Sequence, residues 1–490
     1  MTAIAPPAAP RRFRAVRFAL GARLRRRRIA VSLCLMVLIA SAAALVALDA
    51  DDRVLAAPMA ALALTTVIFV MFLWQRDGVV PIFESGTLCM LAIALYGIVP
   101  LIGFLMMQGQ WTTYADNRLF AYPFIPGELA AFGWRYAVYG VSFMAAYLIV
   151  RGRAAVKSTA FQTPNASTEA AVVIVFAALY AGKLFLKYAY GYDLDDVTPY
   201  IDPEAFMARV SDRPHLVGQI GHNIYSAVGA AQEALLILLL AHWRKRWCRI
   251  ALLLWLAFEV GSTAVRLGSR GAAVLLLLTA GVLYHRLVKP VKFLTAAVAG
   301  AVILSGFLIL GVMRGRSATD QPNPLTASNE FQSLFTTALD LHHKKIAGTL
   351  NVPWQIYVSD LYMPIPSQFL PFEKMDPSAW YIDVIGATGQ GVGFMFGVLA
   401  QAAVGLDWIE LVLRGVALAV VLALLHRWYV RNAVYFWPTL VYVFLSIWTY
   451  TTIRASTFYF LYFVVYQLLP VMVATKLIAL LLSRARGGKR

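Results

Sequence analysis

The sequence predicts an all-α, polytopic membrane protein whose helices cross the bilayer about twelve times. Hydrophobic residues make up 60% of the 490-residue chain, charged residues only 14%, and the mean hydropathy is +0.68. These values exclude an ordinary water-soluble globular protein. Apolar stretches of about twenty residues, the length at which a helix spans the hydrocarbon core, recur along the whole chain.

The excess of positive charge indicates membrane orientation rather than nucleic-acid binding. The formal net charge is +18, and the basic residues form short clusters between apolar runs, as they do in cytoplasmic loops. We therefore expect no nucleic acid among the partners. Cys34, Cys89 and Cys248 lie in or beside apolar runs, without a disulfide framework or metal-ligand spacing. The sequence thus predicts neither a metal site nor a cofactor.

Four regions follow from these patterns. Residues 1–28 form a basic cytoplasmic segment, and the apolar run after it is too long for a signal-peptide core, so we expect an uncleaved first span. Residues 29–313 hold nine spans. Residues 314–405 form a large external loop with a re-entrant or interfacial segment. Residues 406–490 hold the last three spans and a basic cytoplasmic tail, so both termini are predicted to be cytoplasmic.

The turns between the predicted spans alternate in charge. The acidic Asp49-Ala50-Asp51-Asp52 follows the first span and predicts an external turn, whereas the basic stretch at 244–249 follows the sixth and predicts an internal one. The predicted spans lie near residues 29–49, 54–74, 80–106, 129–150, 169–189, 218–242, 250–265, 271–285, 293–312, 408–425, 433–451 and 457–482.

The external loop from about 314 to 383 is the one long polar insertion, and loops of this size are usually functional. Residues 386–405 are apolar but rich in glycine. A full crossing there would place Arg427 and Arg431 on the outside, against the positive-inside rule. We therefore expect this segment to be re-entrant or interfacial.

Several cations fall at outer span ends, where the positive-inside rule predicts few. Arg266 and Arg270 are four residues apart, which puts both guanidinium groups on one side of a helix, in an arrangement suited to a phosphate or diphosphate. The alternative is that such arginines only extend to lipid headgroups. The predicted diphosphate-binding set comprises Arg266, Arg270, Arg314, Arg316, Arg454 and Lys187.

This layout resembles that of a known family. The turn Gly268-Ser269-Arg270-Gly271 joins two apolar spans, a large outer loop precedes the last three spans, and the glycine-rich GQGVGFMFGVLAQAAVGLDW follows that loop. The loop also contains a proline-rich run at 364–372 with Trp380-Tyr381 after it. These features resemble the O-antigen (oligosaccharide repeat-unit) polymerase family, Wzy-type. The related O-antigen ligases share the layout.

The resemblance implies metal-independent glycosyl transfer on the periplasmic face of the bacterial inner membrane. The donor would be a glycan on undecaprenyl pyrophosphate and the acceptor a second lipid-linked repeat unit, with membrane lipids and a chain-length regulator as further candidate partners. Departure of the lipid pyrophosphate builds negative charge, which outer-face arginines would stabilise.

Candidate bases and sugar-binding residues lie in the external loop. The candidate bases are Glu330, Asp340, His342, His343, Glu373, Asp376 and Asp383. Glu330 is preferred because it opens an apparent helix, and the predicted catalytic set is Arg266, Arg270, Glu330, His342 and His343. The His342-His343 pair is either anion-binding or a solvated helix end. Trp354, Tyr357, Trp380 and Tyr381 could stack on sugars, or form the loop's own core or an interfacial belt.

A transporter, such as a flippase for lipid-linked oligosaccharides, is the alternative from a different class. Glu233 and Glu259 fall inside predicted spans, where carboxylates are functional suspects and could couple transport to protons. A transporter also predicts internal repeats and charges along mid-membrane helices. We find no convincing repeat between the two halves, and the charges gather at one face, which favours the polymerase.

Overall fold

Helices form all the regular secondary structure in the described part of the computed structural model. The structure describes residues 11–78, 81–106, 125–152, 161–191, 215–266, 270–315, 329–386 and 396–487. In chain order, nine long helices come first within these described ranges: α1 (Arg11–Ala47), α2 (Ala50–Asp77), α3 (Ser85–Met106), α4 (Pro126–Arg151), α5 (Ala166–Tyr190), α6 (His215–Ala241), α7 (Arg246–Arg266), α8 (Arg270–Leu287) and α9 (Phe293–Gly315).

The chain then forms an insert of mostly short helices, which we define as described residues 329–386 and 396–407. The insert contains α10 (Asn329–Ile346), α11 (Trp354–Tyr357), α12 (Ser359–Tyr362), a 3-10 turn (Ser367–Phe369), α13 (Pro377–Val384) and α14 (Val398–Val404). The remaining elements are α15 (Trp408–Asn432), α16 (Phe436–Trp448), α17 (Thr451–Arg454), α18 (Phe460–Phe463), a π-helical turn (Val464–Leu468) and α19 (Leu469–Gly487).

Among the described residues, seven stretches have the length and apolar composition of membrane spans. They are Arg26–Ala47, Ala50–Asp77, Ser85–Leu105, Ala166–Tyr190, Gly221–Ala241, Trp408–Asn432 and Phe460–Ala485. The predicted class of all-helical, multi-pass membrane protein is therefore confirmed. A helix also occurs at each of the other five predicted span positions, and their crossing of the membrane stays a prediction.

The core consists of two hydrophobic clusters. One joins α2, α3, α4 and α15 with α10 and α14 of the insert, and the other joins α5, α6, α8, α16 and α19. Within the first cluster, α4 and α15 approach closely at Gly415. A Cβ on this residue would lie 2.7 Å from Ser142 Oγ and 3.0 Å from the Tyr139 carbonyl oxygen. A small residue at such a crossing lets two membrane helices pack backbone to backbone.

A buried ionic network marks one end of this bundle, which we call the Glu84 end. Arg151 donates from Nη2 to Glu84 Oε2 at 2.8 Å and also pairs with Asp77. Tyr147 donates its hydroxyl to Glu84 Oε1 at 2.6 Å, and His426 Nε2 lies 3.8 Å from Glu84 Oε2. The carboxylates of Glu84 and Asp77 therefore both pair with the buried guanidinium of Arg151, because a charge removed from water requires paired groups.

Basic residues from three parts of the chain meet at the Glu84 end. The guanidinium of Arg26 lies against Gly78, which turns the chain between α2 and α3. Arg427 donates to the Val150 carbonyl oxygen at 3.3 Å, next to Arg151. The sequence predicts the cytoplasmic side for Arg26 and Arg427.

The insert lies at the opposite end, which we call the Asp407 end. The described residues on either side of positions 387–395 both contact α10 there: Tyr381 donates to Asp340 Oδ2 at 3.0 Å, and Lys345 donates to the Val404 carbonyl oxygen at 2.9 Å. The described helix of the glycine-rich segment, α14, has seven residues, about 10 Å of rise, against about 30 Å of hydrocarbon. The re-entry of residues 386–405 stays a prediction, because residues 387–395 lie outside the described part of the structure.

Candidate functional site

A cavity of about 280 Å³ opens at the Asp407 end, between the insert and the chain that joins α16 to α19. Two charged side chains, Asp376 and Arg454, line it together with Ser378, Ser456, Tyr450 and Tyr459. Met363, Pro377, Phe396, Thr451, Ala455 and Phe463 complete the wall. An arginine, a carboxylate and aromatic rings around one hollow are suited to an anionic, ring-containing ligand.

Arg454 reaches the cavity because the helix before it is interrupted. Thr449 and Thr451 donate their hydroxyls to the carbonyl oxygens of Ser446 at 2.7 Å and Trp448 at 2.6 Å, a side-chain bond that often bends helices. The four-residue α17 then carries Arg454 at its end. The guanidinium carbon lies 5.7 Å from the centre of the Tyr450 ring, within the range of a cation–π contact.

A glycine of the insert supports α17. A Cβ on Gly397 would lie 2.4 Å from the Ile453 carbonyl oxygen, a distance that no side chain could occupy. Gly397 therefore lets the backbone of the glycine-rich segment pass directly against the residue before Arg454. Close packing at the cavity wall therefore explains why position 397 of that segment is a glycine.

Asp376 is fixed at the cavity as a helix N-cap. Its Oδ1 accepts the backbone N–H groups of Ser378 at 2.8 Å and Ala379 at 3.0 Å, which are the donors that a helix N-terminus leaves open. Burial, with the charge of Asp376, raises the pKa of Tyr459. The Tyr459 phenol therefore stays neutral and can donate a hydrogen bond beside the carboxylate.

A buried polar network holds the turn at residues 455–459, which forms one wall of the cavity. Asp360 Oδ1 accepts the Phe458 N–H at 3.1 Å, and Asp360 Oδ2 accepts Gln401 Nε2 at 3.2 Å and pairs with Arg414. Arg414 Nη1 donates to Thr457 Oγ1 at 3.1 Å. The network thus ties this wall to α12, α14 and α15 at once.

The network was not predicted from the sequence, although one signal for it exists. Arg414 interrupts an apolar span and follows Glu410 by one helical turn, and its Nη2 lies 2.6 Å from Glu410 Oε1. A charged residue inside a span is by default a functional suspect. Its second partner, Asp360, is 54 residues away in the sequence, so only the fold identifies the pair.

Four of the other predicted diphosphate-binding residues fall, wholly or in their side chains, outside the described parts of the structure. Arg266 ends α7, Arg270 begins α8 and Arg314 lies in the last turn of α9, but their side chains and all of Arg316 fall outside the described parts of the structure. The same holds for the side chain of Glu330, at the start of α10. Lys187 lies in the last turn of α5. The predicted convergence of these cations stays a prediction.

The two predicted histidines lie on α10 away from the cavity lining. His342 packs edge-on against the Phe132 ring at 5.7 Å between centres, and burial, with the nearby charge of Arg135, lowers its pKa. His343 Nε2 lies 3.2 Å from Glu128 Oε1. Asp407 binds Arg135 with two bonds of 2.6 and 2.7 Å, and although burial opposes it, this pairing lowers the pKa of Asp407.

The four predicted sugar-binding aromatics fall into two pairs. Tyr381 is fully buried, and Trp380, only 7% exposed, packs edge-on against Phe396 at 5.9 Å. The structure therefore places both in the insert's own core, because a buried ring has no face open to a sugar. Trp354 and Tyr357 are 55% and 46% exposed, and both are absent from the cavity lining.

Comparison of the chain with family models, with curated proteins and with solved structures gave no match.

Proposed function

We propose that this protein is a glycosyltransferase that polymerises undecaprenyl-pyrophosphate-linked repeat units on the periplasmic face of a bacterial inner membrane. The observation that carries the proposal is the cavity shared by Arg454 and Asp376. Arg454 belongs to the cations that the sequence sets apart as diphosphate ligands, and Asp376 belongs to the candidate bases of the external loop. The likeness in layout to Wzy-type polymerases supplies the substrate class.

The proposal requires the Asp407 end to face the periplasm. Arg26, Arg151 and Arg427 meet at the Glu84 end, and clustered arginines favour the cytoplasmic side. This orientation, with twelve spans and both termini in the cytoplasm, puts the insert and its cavity outside. The contacts of Tyr381 and Val404 with α10, both at the Asp407 end, support it.

In the proposed reaction, an acceptor hydroxyl attacks the anomeric carbon of the donor glycan. The new C–O bond forms as the bond to the pyrophosphate oxygen breaks, and the hydroxyl proton passes to a base, for which Asp376 is the candidate in the cavity. Arg454 would bind the departing pyrophosphate, where fixed positive charge lowers the barrier. Arg266, Arg270, Arg314 and Arg316 are proposed to complete that binding site, with Lys187.

One observation favours the transporter alternative. Glu233 is only 7% exposed in the middle of α6, and its Oε2 has no hydrogen-bond partner among the described residues. An unsatisfied carboxylate in a span suggests a protonation site. Neither Glu233 nor Glu259 lines the cavity described above, so this function would need a different site.

The test is deletion of the gene followed by electrophoresis of surface polysaccharide. A polymerase predicts loss of the ladder with one repeat unit retained on each core. Loss of all capped core would identify a ligase instead. Complementation of the deletion strain with Glu233→Gln distinguishes a transporter from a polymerase. A polymerase that uses the cavity should restore the ladder with this variant, whereas a proton-coupled flippase should not.

A further inference from the structure

Residues 354–370 of the insert expose mainly apolar side chains. Between residues 354 and 370, seven side chains are exposed, and five of them are aromatic or aliphatic. These five, which we call the apolar face, are Trp354 at 55%, Tyr357 at 46%, Leu361 at 72%, Ile365 at 40% and Phe369 at 73% exposed. Large exposed residues that cluster in this way mark an interaction surface.

The same stretch is amphipathic, so the exposed side chains do not result from a loosely packed loop. Ile356, Ser359, Asp360 and Tyr362 are buried on its opposite side. Asp360 is the only charged residue from 354 to 370, and its carboxylate is buried in the ion pair with Arg414. The side facing outward therefore carries no charge.

Two independent contacts locate this stretch relative to the membrane spans. Asp360 pairs with Arg414, which lies six residues into the span Trp408–Asn432. Lys374, just beyond the stretch, donates to the Met363 carbonyl oxygen within it at 2.9 Å and to Tyr466 at 3.5 Å, and Tyr466 belongs to the span Phe460–Ala485. Asp360 also accepts the N–H of Phe458, immediately before that span, so the stretch lies at the level at which these two spans begin.

The ends of membrane spans mark the interfacial zone of a bilayer. Amphipathic segments that lie in a membrane surface bury their apolar side by about 5–10 Å, and tryptophan and tyrosine are enriched at this level.

We propose that residues 354–370 lie in the lipid leaflet at the Asp407 end, with the apolar face in contact with lipid. The inference goes beyond glycosyl transfer and does not depend on it. Because Met363 of this stretch also lines the cavity, the cavity wall is then continuous with the lipid surface. A lipid-borne substrate would approach at the level of the headgroups rather than from bulk water.

Spin labels in lipid nanodiscs test this placement without an activity assay. Cys34 and Cys248 are replaced by serine, and Cys89 is kept because it is fully buried. Single labels are then placed by Leu361→Cys and Phe369→Cys. Leu413→Cys, 59% exposed within α15, provides the lipid-facing reference, and Asp51→Cys, at an exposed position in the acidic first turn of α2, provides the water-facing one.

Collision with oxygen and with the water-soluble complex NiEDDA distinguishes the outcomes. We expect the labels at positions 361 and 369 to resemble the label at position 413, with high accessibility to oxygen and low accessibility to NiEDDA. NiEDDA accessibility equal to that of Asp51 would overturn the proposal. Shielding from both reagents would also overturn it, because a protein partner or a second copy of the chain would then cover the apolar face. Since Leu361 and Phe369 are both exposed, their replacement leaves the buried contacts of the insert intact.

Discussion

Asp360 of the insert and Arg414 of α15 form a buried ion pair beside the turn that lines the cavity. Their side chains are only 7% and 13% exposed, and the same carboxylate accepts the Phe458 N–H. One pair therefore joins a membrane helix, the insert and the cavity wall. The position of the cavity relative to the bilayer depends on this contact.

Removing either partner of this pair should destabilise the protein. Arg414→Met leaves Asp360 buried without its cation, and breaking a buried pair on one side costs about 3–5 kcal/mol. Asp360→Asn should have a similar effect. Thermal or denaturant unfolding in detergent measures both, and the double variant Asp360→Asn/Arg414→Met should lose less than the sum. Strict additivity would show that the two side chains do not interact.

Arg454 should be required for activity but not for folding. Arg454→Ala removes a guanidinium from the cavity, and loss of one donor to developing negative charge lowers a rate by about 10²–10³-fold. Arg454→Lys keeps the charge without the planar fork and should recover only part of the rate. The measurement is glycan-chain extension by membranes that contain equal amounts of each variant. Arg484→Ala, an exposed arginine near the end of α19, is the control, and equal losses from both arginines would argue against a site at the cavity.

Gly397→Ala should distort the cavity wall. The new methyl group would overlap the Ile453 carbonyl oxygen, and overpacking of this kind destabilises by about 1–3 kcal/mol. We expect lower unfolding temperature together with reduced chain extension, because Arg454 follows Ile453 directly. Gly281→Ala in α8, where a Cβ meets nothing within 4 Å, should leave both properties unchanged. A wild-type result for Gly397→Ala would contradict the close approach.

His342 should make stability depend on pH. Because burial lowers its pKa in the folded state, the unfolded chain binds the proton more readily. Its contribution is thus fully present above the unfolded pKa of about 6.5 and is lost as the pH falls through that value towards the lowered folded pKa. Unfolding midpoints measured from pH 8 to pH 5 should fall less in His342→Gln than in wild type. His343→Gln serves as the control, and an identical pH profile for wild type and His342→Gln would refute the assignment.

The sequence predicts the helices of this fold well, because apolar runs of span length are a direct consequence of the hydrocarbon thickness. It also predicts that Arg454 lies at the end of a span, where the structure places it in the cavity. The positive-inside rule applied to Arg427 predicts the re-entry of residues 386–405. Arg427 does lie beside Arg151 at the Glu84 end, and the re-entry itself stays a prediction.

The cavity network could not be predicted, because its members are brought together only by tertiary contacts. Asp360, Gln401 and Arg414 come from three elements, and each residue alone is an unremarkable polar side chain. The aromatic residues illustrate the same limit. Trp354 and Trp380 lie in the same predicted external loop, yet one is exposed and the other buried. The difference arises because Trp380 packs against Phe396, a residue distant in the sequence.

The most direct measurement is extension of lipid-linked repeat units by the purified protein in liposomes. Undecaprenyl-pyrophosphate-linked units extracted from the host strain are supplied with a metal chelator present, and products are separated by length on a gel. We expect wild type to form a ladder of lengthening glycans and Arg454→Ala to form none. Absence of any extension by a well-folded wild-type protein, or an undiminished ladder from Arg454→Ala, would contradict the proposed function.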